Sequence, residues 1–338
     1  MAISVSVVIP TLNEGLSIAK TLDSILMQSC VPDEIVVADA GSTDNTVAIV
    51  ESYSKKTIPV KLVGNPNMTP GAGRNAAAKA SSCEYIACMD AGNIADRFWL
   101  ENLLSPLQRL SGIDVVYGRF LPQPRNAFEE CVVAINFAYL SDYFNNDDME
   151  LDGNLEGHGV PYTGSSTLIK LETFNKVGGF PEWLRTGEDK LFGKKLEHDG
   201  YKVIYSAKPV VYHHIRESIS ALYNQAFTYG RGNGRTKQTS GGFFHIFYKY
   251  VIAFVMILML PFYPVVVLPL FIWIGLYSYR RGIRQYVHFF NKTPKLSDTV
   301  QILKALFVRD LGLIAGHIRG FIDRVIDPSY LKNLSEYG

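Results

Sequence analysis

Two apolar runs, Ile3 to Pro10 and Glu34 to Ala38, each end in a cluster of polar residues, and one helix-length stretch separates them. The first run ends in Thr11, Asn13 and Glu14, the second in Asp39, Gly41, Ser42 and Asp44. Strand, crossover helix and parallel strand make a βαβ unit, and an open parallel sheet binds ligands in the crevice beyond the carboxyl ends of its strands. These polar groups are therefore suited to gripping a base and a ribose. Neither G-x-G-x-x-G nor G-x-x-x-x-G-K-[ST] opens the helix near Leu16, which argues against a dinucleotide oxidoreductase. A nucleotide bound here needs its diphosphate held by something else, and a divalent metal ion is the expected holder.

The alternation continues down the chain. Leu16 to Gln28 carries apolar residues at Leu16, Ala19, Leu22, Ile25 and Leu26, the spacing of a helix packed on a sheet. Thr43 to Tyr53 reads as a helix, Val60 to Val63 as a strand, Gly64 to Gly73 as a loop and Arg74 to Ala80 as an alanine-rich helix. Tyr85 to Met89 is a strand exiting into Asp90, Ala91, Gly92 and Asn93. Trp99 to Arg109 reads as a helix, Asp114 to Leu121 as a strand and Phe128 to Tyr143 as a long apolar helix. Asn145 to Val160, with Asp147, Asp148, Glu150 and Asp152, is expected to be a loop over the site or a solvated turn. Gly164 to Ile169 is a strand and Lys170 to Val177 a helix. A helix from Gly187 to His198 and the strands Val203 to Ser206 and Val210 to His213 follow. This order predicts a parallel sheet covered by helices on both faces.

A chain of 338 residues, 47% hydrophobic with a net charge of +1, suffices for one large domain and an appendage. Near-neutral charge argues against a nucleic-acid partner, which needs clustered Lys and Arg. Cys30, Cys83, Cys88 and Cys131 form no C-x-x-C pair and read as reduced core residues. The first twenty residues lack a basic leader and a small-residue cleavage site, so the catalytic part is expected to stay in the cytoplasm.

Phe247 to Tyr279 contains one charge, Lys249, and is otherwise apolar or aromatic. A buried helical core is the bland reading, but no polar face is present to close it off. Pro261, Pro264 and Pro269 interrupt the segment, and the apolar flanks of the break are each about 13 to 15 residues, short of the roughly 20 of a straight span. A kinked span and a hairpin remain open. Arg231, Arg235, Lys237 and Lys249 before it and Arg280, Arg281 and Arg284 after it favour the hairpin. Leu296 to Ile326 has helical periodicity broken at Gly312, Gly316 and Gly320, and reads as an interfacial helix beside the hairpin.

The succession P-T-L-N-E, A-D-A-G-S-T-D, G-A-G-R-N, M-D-A-G and G-E-D-K, over about residues 3 to 214, resembles the family 2 glycosyltransferases of the GT-A fold. The resemblance implies transfer of a sugar from a nucleoside diphosphate to an acceptor hydroxyl with inversion. It also implies an α/β, Rossmann-like, mostly parallel sheet flanked by helices, here followed by membrane-associated helices. Residues 1–235 would form the glycosyltransferase domain, 243–284 the hairpin or kinked span, and 285–338 an interfacial helical region.

The residues support that chemistry. Asp39 can accept from a base ring N–H, while Pro10, Thr11, Asn13 and Glu14 lie beside ribose and base. Asn13 and Asp44 have helix capping as their plain alternative. Arg74 follows Gly-Ala-Gly and could reach phosphate or base, a surface salt bridge being the competing view. Asp90 stands in place of the D-x-D signature, whose second carboxylate is absent because the sequence reads Asp90-Ala91-Gly92. It would hold Mg2+ or Mn2+ with help from His213, or His213 is simply a strand end. Asp189 is the expected catalytic base, with Glu188 beside it turned to a structural partner or the acceptor; a capped, acidic helix start is the alternative. Arg231 and Arg235, in a glycine-rich stretch read as a loop, would contact diphosphate or lipid phosphate, or anchor the membrane flank. The expected enzyme sits at the cytoplasmic face of the cell membrane and uses a nucleoside-diphosphate sugar and a lipid-linked or glycan acceptor. A polyprenyl-phosphate sugar synthase and a non-catalytic membrane scaffold are the alternatives.

Overall fold

In a computed structural model of the chain, β1 (Val5–Thr11) and β2 (Glu34–Asp39) pair in parallel around α1 (Ile18–Leu26). Thr11 stands opposite Asp39 at the two exits. The structure describes residues 3–54, 56, 58–137, 140, 143, 146, 149–236 and 240–335. These fall into two units, Met1–Gln123 with Asp142–His214 and Pro124–Ser141 with Ile215–Glu336. Residues 124–141 and 215–235 thus group with the second unit, although the sequence reading put them in the catalytic domain.

In the first unit β3 (Val60–Gly64) follows α2 (Thr46–Tyr53) and lies against β2, with Gly64 opposite Asp39. After α3 (Pro70–Ala80), β4 (Tyr85–Cys88) flanks β1 on its other side. The chain then adds β5 (Ile94–Ala95), α4 (Trp99–Arg109), β6 (Val115–Gln123) and β7 (Glu150–Asp152). It continues through β8 (Thr167–Lys170), α6 (Leu171–Val177), α7 (Glu188–His198) and β9 (Val203–His214). The sheet order is β3-β2-β1-β4-β8-β6-β9-β5, with β7 on β9. It is mixed and not uniformly parallel, because β8 runs antiparallel to both β4 and β6. Val7, Val8, Ile9, Ile35, Val36 and Val37 are all fully buried, the mark of strands covered on both faces, which is why these runs are continuous and do not alternate.

Several expected boundaries move for identifiable reasons. The helical stripe of α1 is Ile18, Leu22 and Ile25, while Leu16 lies before the helix and is 98% exposed. α3 begins four residues earlier than Arg74, at Pro70, whose missing N–H suits a first turn capped by the Thr69 hydroxyl, which accepts from Ala72 N–H. Its glycines serve packing: a Cβ on Gly73 would come within 2.8 Å of Pro10. Within the segment read as a loop, β7 pairs with β9, and β9 is one continuous strand where two were expected. Asp147 and Asp148, and part of the expected helix to Tyr143, lie outside the described residues.

The second unit comprises α5 (Ala127–Phe137), α8 (Ile219–Thr236), α9 (Ser240–Met259), α10 (Val267–Ser278), α11 (Arg284–Phe290), α12 (Leu296–Ile326) and α13 (Ser329–Ser335). Here two sequence readings are corrected. Tyr229–Arg235 is helical, inside α8, and Gly312, Gly316 and Gly320 do not break α12. Gly230 and Gly234 on one helix, and the three glycines on the other, recur every four residues and so share one face. A Cβ on Gly316 would run into the Phe227 carbonyl, one on Gly320 into that of Arg231, and one on Gly230 into that of Leu313. Absent side chains let the two backbones touch, an arrangement that gains dispersion contacts.

We predict that Gly316→Leu lowers the thermal stability of the protein, with a cost of about 1–3 kcal/mol from forced separation of α8 and α12. Gly275→Ala, where added carbon meets nothing within 4 Å, should leave stability unchanged or raised in the same melting experiment.

Candidate active site

The loops leaving β1 and β2 are tied to each other. Asp39 Oδ2 accepts from Gly41 N–H at 3.0 Å and Ser42 N–H at 2.9 Å, and its Oδ1 accepts from the Ser42 hydroxyl at 2.5 Å. This tight turn uses a left-handed backbone at Gly41, φ +86°. Asn13 Oδ1 accepts from Thr43 N–H at 2.8 Å, and Asp44 Oδ2 accepts from Gly15 N–H at 2.9 Å. Asn13 therefore bridges loops and does not cap α1, while Asp44, which also accepts from Thr46 N–H, organises the start of α2. Two buried acceptors at these exits, Thr11 Oγ1 and Asn65 Oδ1, have no protein partner. An unpaired buried polar atom costs about 1–3 kcal/mol, and a bound ligand that pairs it removes that cost.

Across the same sheet edge, Arg74 projects from α3 and is only 3% exposed. Its Nη2 donates to Asp90 Oδ1 at 2.5 Å and its Nη1 to Glu188 Oε1 at 2.9 Å. The Phe180 ring lies 5.1 Å from the guanidinium carbon. A side chain on Gly164 would strike the guanidinium, so this glycine makes room for it. Arg74 is thus a buried ion-pair centre and not a surface salt bridge, and its Nε has no partner among the described residues. Asn75, next to it, accepts from Phe180 N–H at 2.8 Å and donates to Phe180 O and to Glu182, tying α3 to the turn ahead of α7.

One guanidinium faces three carboxylates here, since Asp189 also contributes to the field at Arg74. Burial pushes the Asp90 carboxyl up, but Arg74 and the Ser165 hydroxyl more than offset this and hold it below its usual value. Glu188 is 5% exposed; burial first and then neighbouring Asp189 push it up to about 7 against the pull of Arg74. Asp189 is also raised, by burial first, with Arg74 and Lys190 N–H pulling back and Asp90 pushing up. Both sit in the first turn of α7, entered through Gly187 at φ +81°. Burial raises the Asp189 carboxyl and Arg74 opposes that rise, so Asp189 is a stronger proton acceptor than a free aspartate.

The missing second carboxylate of the D-x-D pattern has a local reason. Gly92 holds φ +86°, and a Cβ there would begin 3.2 Å from Glu14 Oε2, so an aspartate would bring like charge onto Glu14. His213 Nδ1 lies 3.0 Å from Asn93 Oδ1, which makes Nδ1 the donor and leaves the lone pair at Nε2. Only as the protonated imidazolium, which has no lone pair for a metal, would His213 help hold Asp90 ionised. Among the described residues no cluster of three ligating side chains exists. Asp90 and His213 could supply at most two ligands, so a divalent ion held there would need further oxygen ligands from outside the protein.

Pro10, Thr11, Asn13, Glu14, Asp39, Asp90, His213, Glu188 and Asp189 all belong to the first unit. Arg231 and Arg235 do not; they lie in the second unit, where both are bonded to Asp323 at 2.6 Å. Sequence reasoning missed Ser165, Asn75 and Asn93. Asn75 had a signal in the G-A-G-R-N motif; Ser165 and Asn93 had none beyond lying near strand ends.

Comparison with known proteins agrees with this geometry. The family model for glycosyl transferase family 2 matches residues 6–154, and that for glycosyl transferase family group 2 matches residues 85–280. The O-antigen chain rhamnosyltransferase RfbN of Salmonella typhimurium is 31% identical over 215 residues, 62% of this chain and 66% of that protein. The succinoglycan biosynthesis protein ExoA of Rhizobium meliloti is 28% identical over 233 residues, 68% of each. The chain thus spans about two thirds of the length of these curated relatives. Among solved structures, the mannosyltransferase PcManGT from Pyrobaculum calidifontis, in complex with GDP-Man and Mn2+, superimposes with a TM-score of 0.57. It is 17% identical, over 96% of this chain and 88% of that one, a likeness of fold.

The raised Glu188 carboxyl predicts a pH effect of defined sign. A proton held more tightly in the folded state stabilises fully below the unfolded value near 4.5, and that stability is lost as pH rises to about 7. Denaturant midpoints of wild type relative to Glu188→Gln, measured across that window, should fall with rising pH; a flat difference contradicts the assignment.

Proposed function

Since the chain belongs to glycosyl transferase family 2, we propose that it moves a sugar from a nucleoside-diphosphate sugar to a hydroxyl of a lipid-linked or glycan acceptor, with inversion. Polysaccharide or O-antigen synthesis is the setting that its relatives' names support. The carrying observation is the cluster around Arg74, which sets three carboxylates of different basicity at one sheet edge.

Each has a separate task. The acceptor oxygen attacks the anomeric carbon from the face opposite the diphosphate, the carbon–diphosphate bond breaks, and Asp189 takes the hydroxyl proton. Burial keeps Asp189 basic and Arg74 keeps it ionised. Asp39, Thr11, Asn13 and Glu14 hold base and ribose at the exits of β1 and β2. Asp90 and His213 would hold a divalent cation, which neutralises the departing diphosphate. Glu188 and Arg74 are positioning residues: they fix α7 against α3 and set the charge that Asp189 experiences.

The exposed apolar surface of the second unit supports attachment to the cell membrane; we place the catalytic unit on the cytoplasmic side as part of the proposal. Among the described residues one helix, over Gly242–Met259, is long and apolar enough to cross a membrane.

A panel of UDP-, GDP- and dTDP-sugars with Mg2+ or Mn2+, read by release of nucleoside diphosphate, identifies the donor. With that donor, Asp189→Asn should lower transfer about 10²–10⁴-fold while leaving donor affinity unchanged. Wild-type transfer should rise with pH through a value above the ordinary aspartate range, and chelation of divalent ions should abolish it. Unchanged turnover in Asp189→Asn overturns the proposal.

A further inference from the structure

Tyr250 on α9 and Tyr277 on α10 both donate to Asp310 Oδ2 of α12, the first at 3.0 Å. Their rings lie 6.4 Å apart. The chain therefore leaves α12 at Tyr250, turns, and returns at Tyr277, which decides between the kinked span and the hairpin in favour of the hairpin. Asp310 is fully buried and is itself gripped by Arg309, whose Nη1 donates to Ile135 O. The hairpin is thus clamped at a fixed point. Before that point α9 is occupied by protein, with Phe243 stacked on His317 at 4.1 Å and Tyr250 beside Phe307. After the clamp, Gly282 packs on Ile302, and Tyr286 donates to Glu130 at 2.7 Å. Between the clamp residues the large side chains are bare: Phe254, Leu258, Phe262, Val265, Leu268 and Phe271 are all more than half exposed.

We infer that this hairpin enters one leaflet of a lipid bilayer and returns to the side it came from, without reaching the far aqueous phase. Its reach sets the limit. From Tyr250 to the turn at Tyr263 is about 13 residues, or at most ~20 Å at 1.5 Å per residue, against a hydrocarbon core of ~30 Å. Charge marks the entry level on both arms: Lys249 lies 5.0 Å over the Tyr277 ring, and Arg280 and Arg281 follow three and four residues later. No Asp, Glu, Lys, Arg or His stands between Lys249 and Arg280, so no charge at the tip anchors it in a far headgroup layer. The turn backbone is also fitted to hydrocarbon. Pro261 and Pro264 have no N–H, and the N–H groups of Leu260, Phe262, Tyr263 and Val266 bond to nearby carbonyls. α12 adds Val300, Leu303, Phe307 and Leu311 as an exposed apolar stripe at helical spacing, fit to lie in the membrane surface.

This inference rests on the membrane attachment of the second unit, and the test separates the two. Full-length protein carrying Cys30→Ser and Val265→Cys is added to sealed vesicles of phosphatidylethanolamine and phosphatidylglycerol. A membrane-impermeant maleimide is then supplied outside or trapped inside. Position 265 should stay unlabelled from both sides until detergent is added, whereas Ser52→Cys in the first unit labels from outside. Labelling of 265 from the lumen means that the hairpin crosses and overturns the inference while leaving attachment intact. Labelling of 265 from outside on vesicle-bound protein also overturns it, and failure to float with the vesicles overturns the attachment reading itself.

Discussion

A single buried guanidinium organises the catalytic unit. Arg74 keeps its proton and is almost wholly buried, so its positive charge is a fixed element around which carboxylates from two separate segments arrange themselves, Asp90 after β4 and the Glu188-Asp189 pair at the start of α7. Breaking such a buried pair from one side leaves an uncompensated charge and costs about 3–5 kcal/mol, which explains why the supporting shell is so closely fitted. Gly164 gives the guanidinium room, Phe180 covers it, and Asn75 holds the turn that carries Phe180. In the proposed function the surplus of negative charge over positive would leave one carboxyl ready for a proton and favour a divalent cation near Asp90.

The second unit follows a different physical rule. Its helices are joined by the absence of side chains, with glycines of α8 and α12 facing backbone, and by polar clamps at Asp310 and Asp323. Arg231, Arg235 and Arg319 all converge on Asp323, so a nearly buried carboxylate holds three cations and fixes the end of the helix pair. Apolar side chains are correspondingly free to face outward, which in water would be a liability and in lipid is the stable arrangement.

The sequence made the strands legible because β1, β2 and β4 are buried on both faces and read as unbroken apolar runs. It also marked the site, since polar residues follow each of these runs. What it concealed depends on contacts between distant segments. The glycines of G-A-G-R-N, of α8 and of α12 looked like turn residues, and only the neighbouring backbone shows that they are packing residues within helices. Nothing local to Arg74 reveals that Glu188, 114 positions away, pairs with it. The antiparallel placement of β8 was likewise invisible, since strand direction is set by the connections and not by composition.

The most direct measurement is a carboxyl-carbon NMR titration of the protein labelled at aspartate and glutamate, with Asp90, Asp189 and Glu188 assigned by substitution. The account predicts that the three separate, Asp90 titrating below the ordinary 3.8, Asp189 above it and Glu188 near 7. Three ordinary, coincident titrations would contradict it, since they would mean that Arg74 and burial do not divide these carboxylates into different roles.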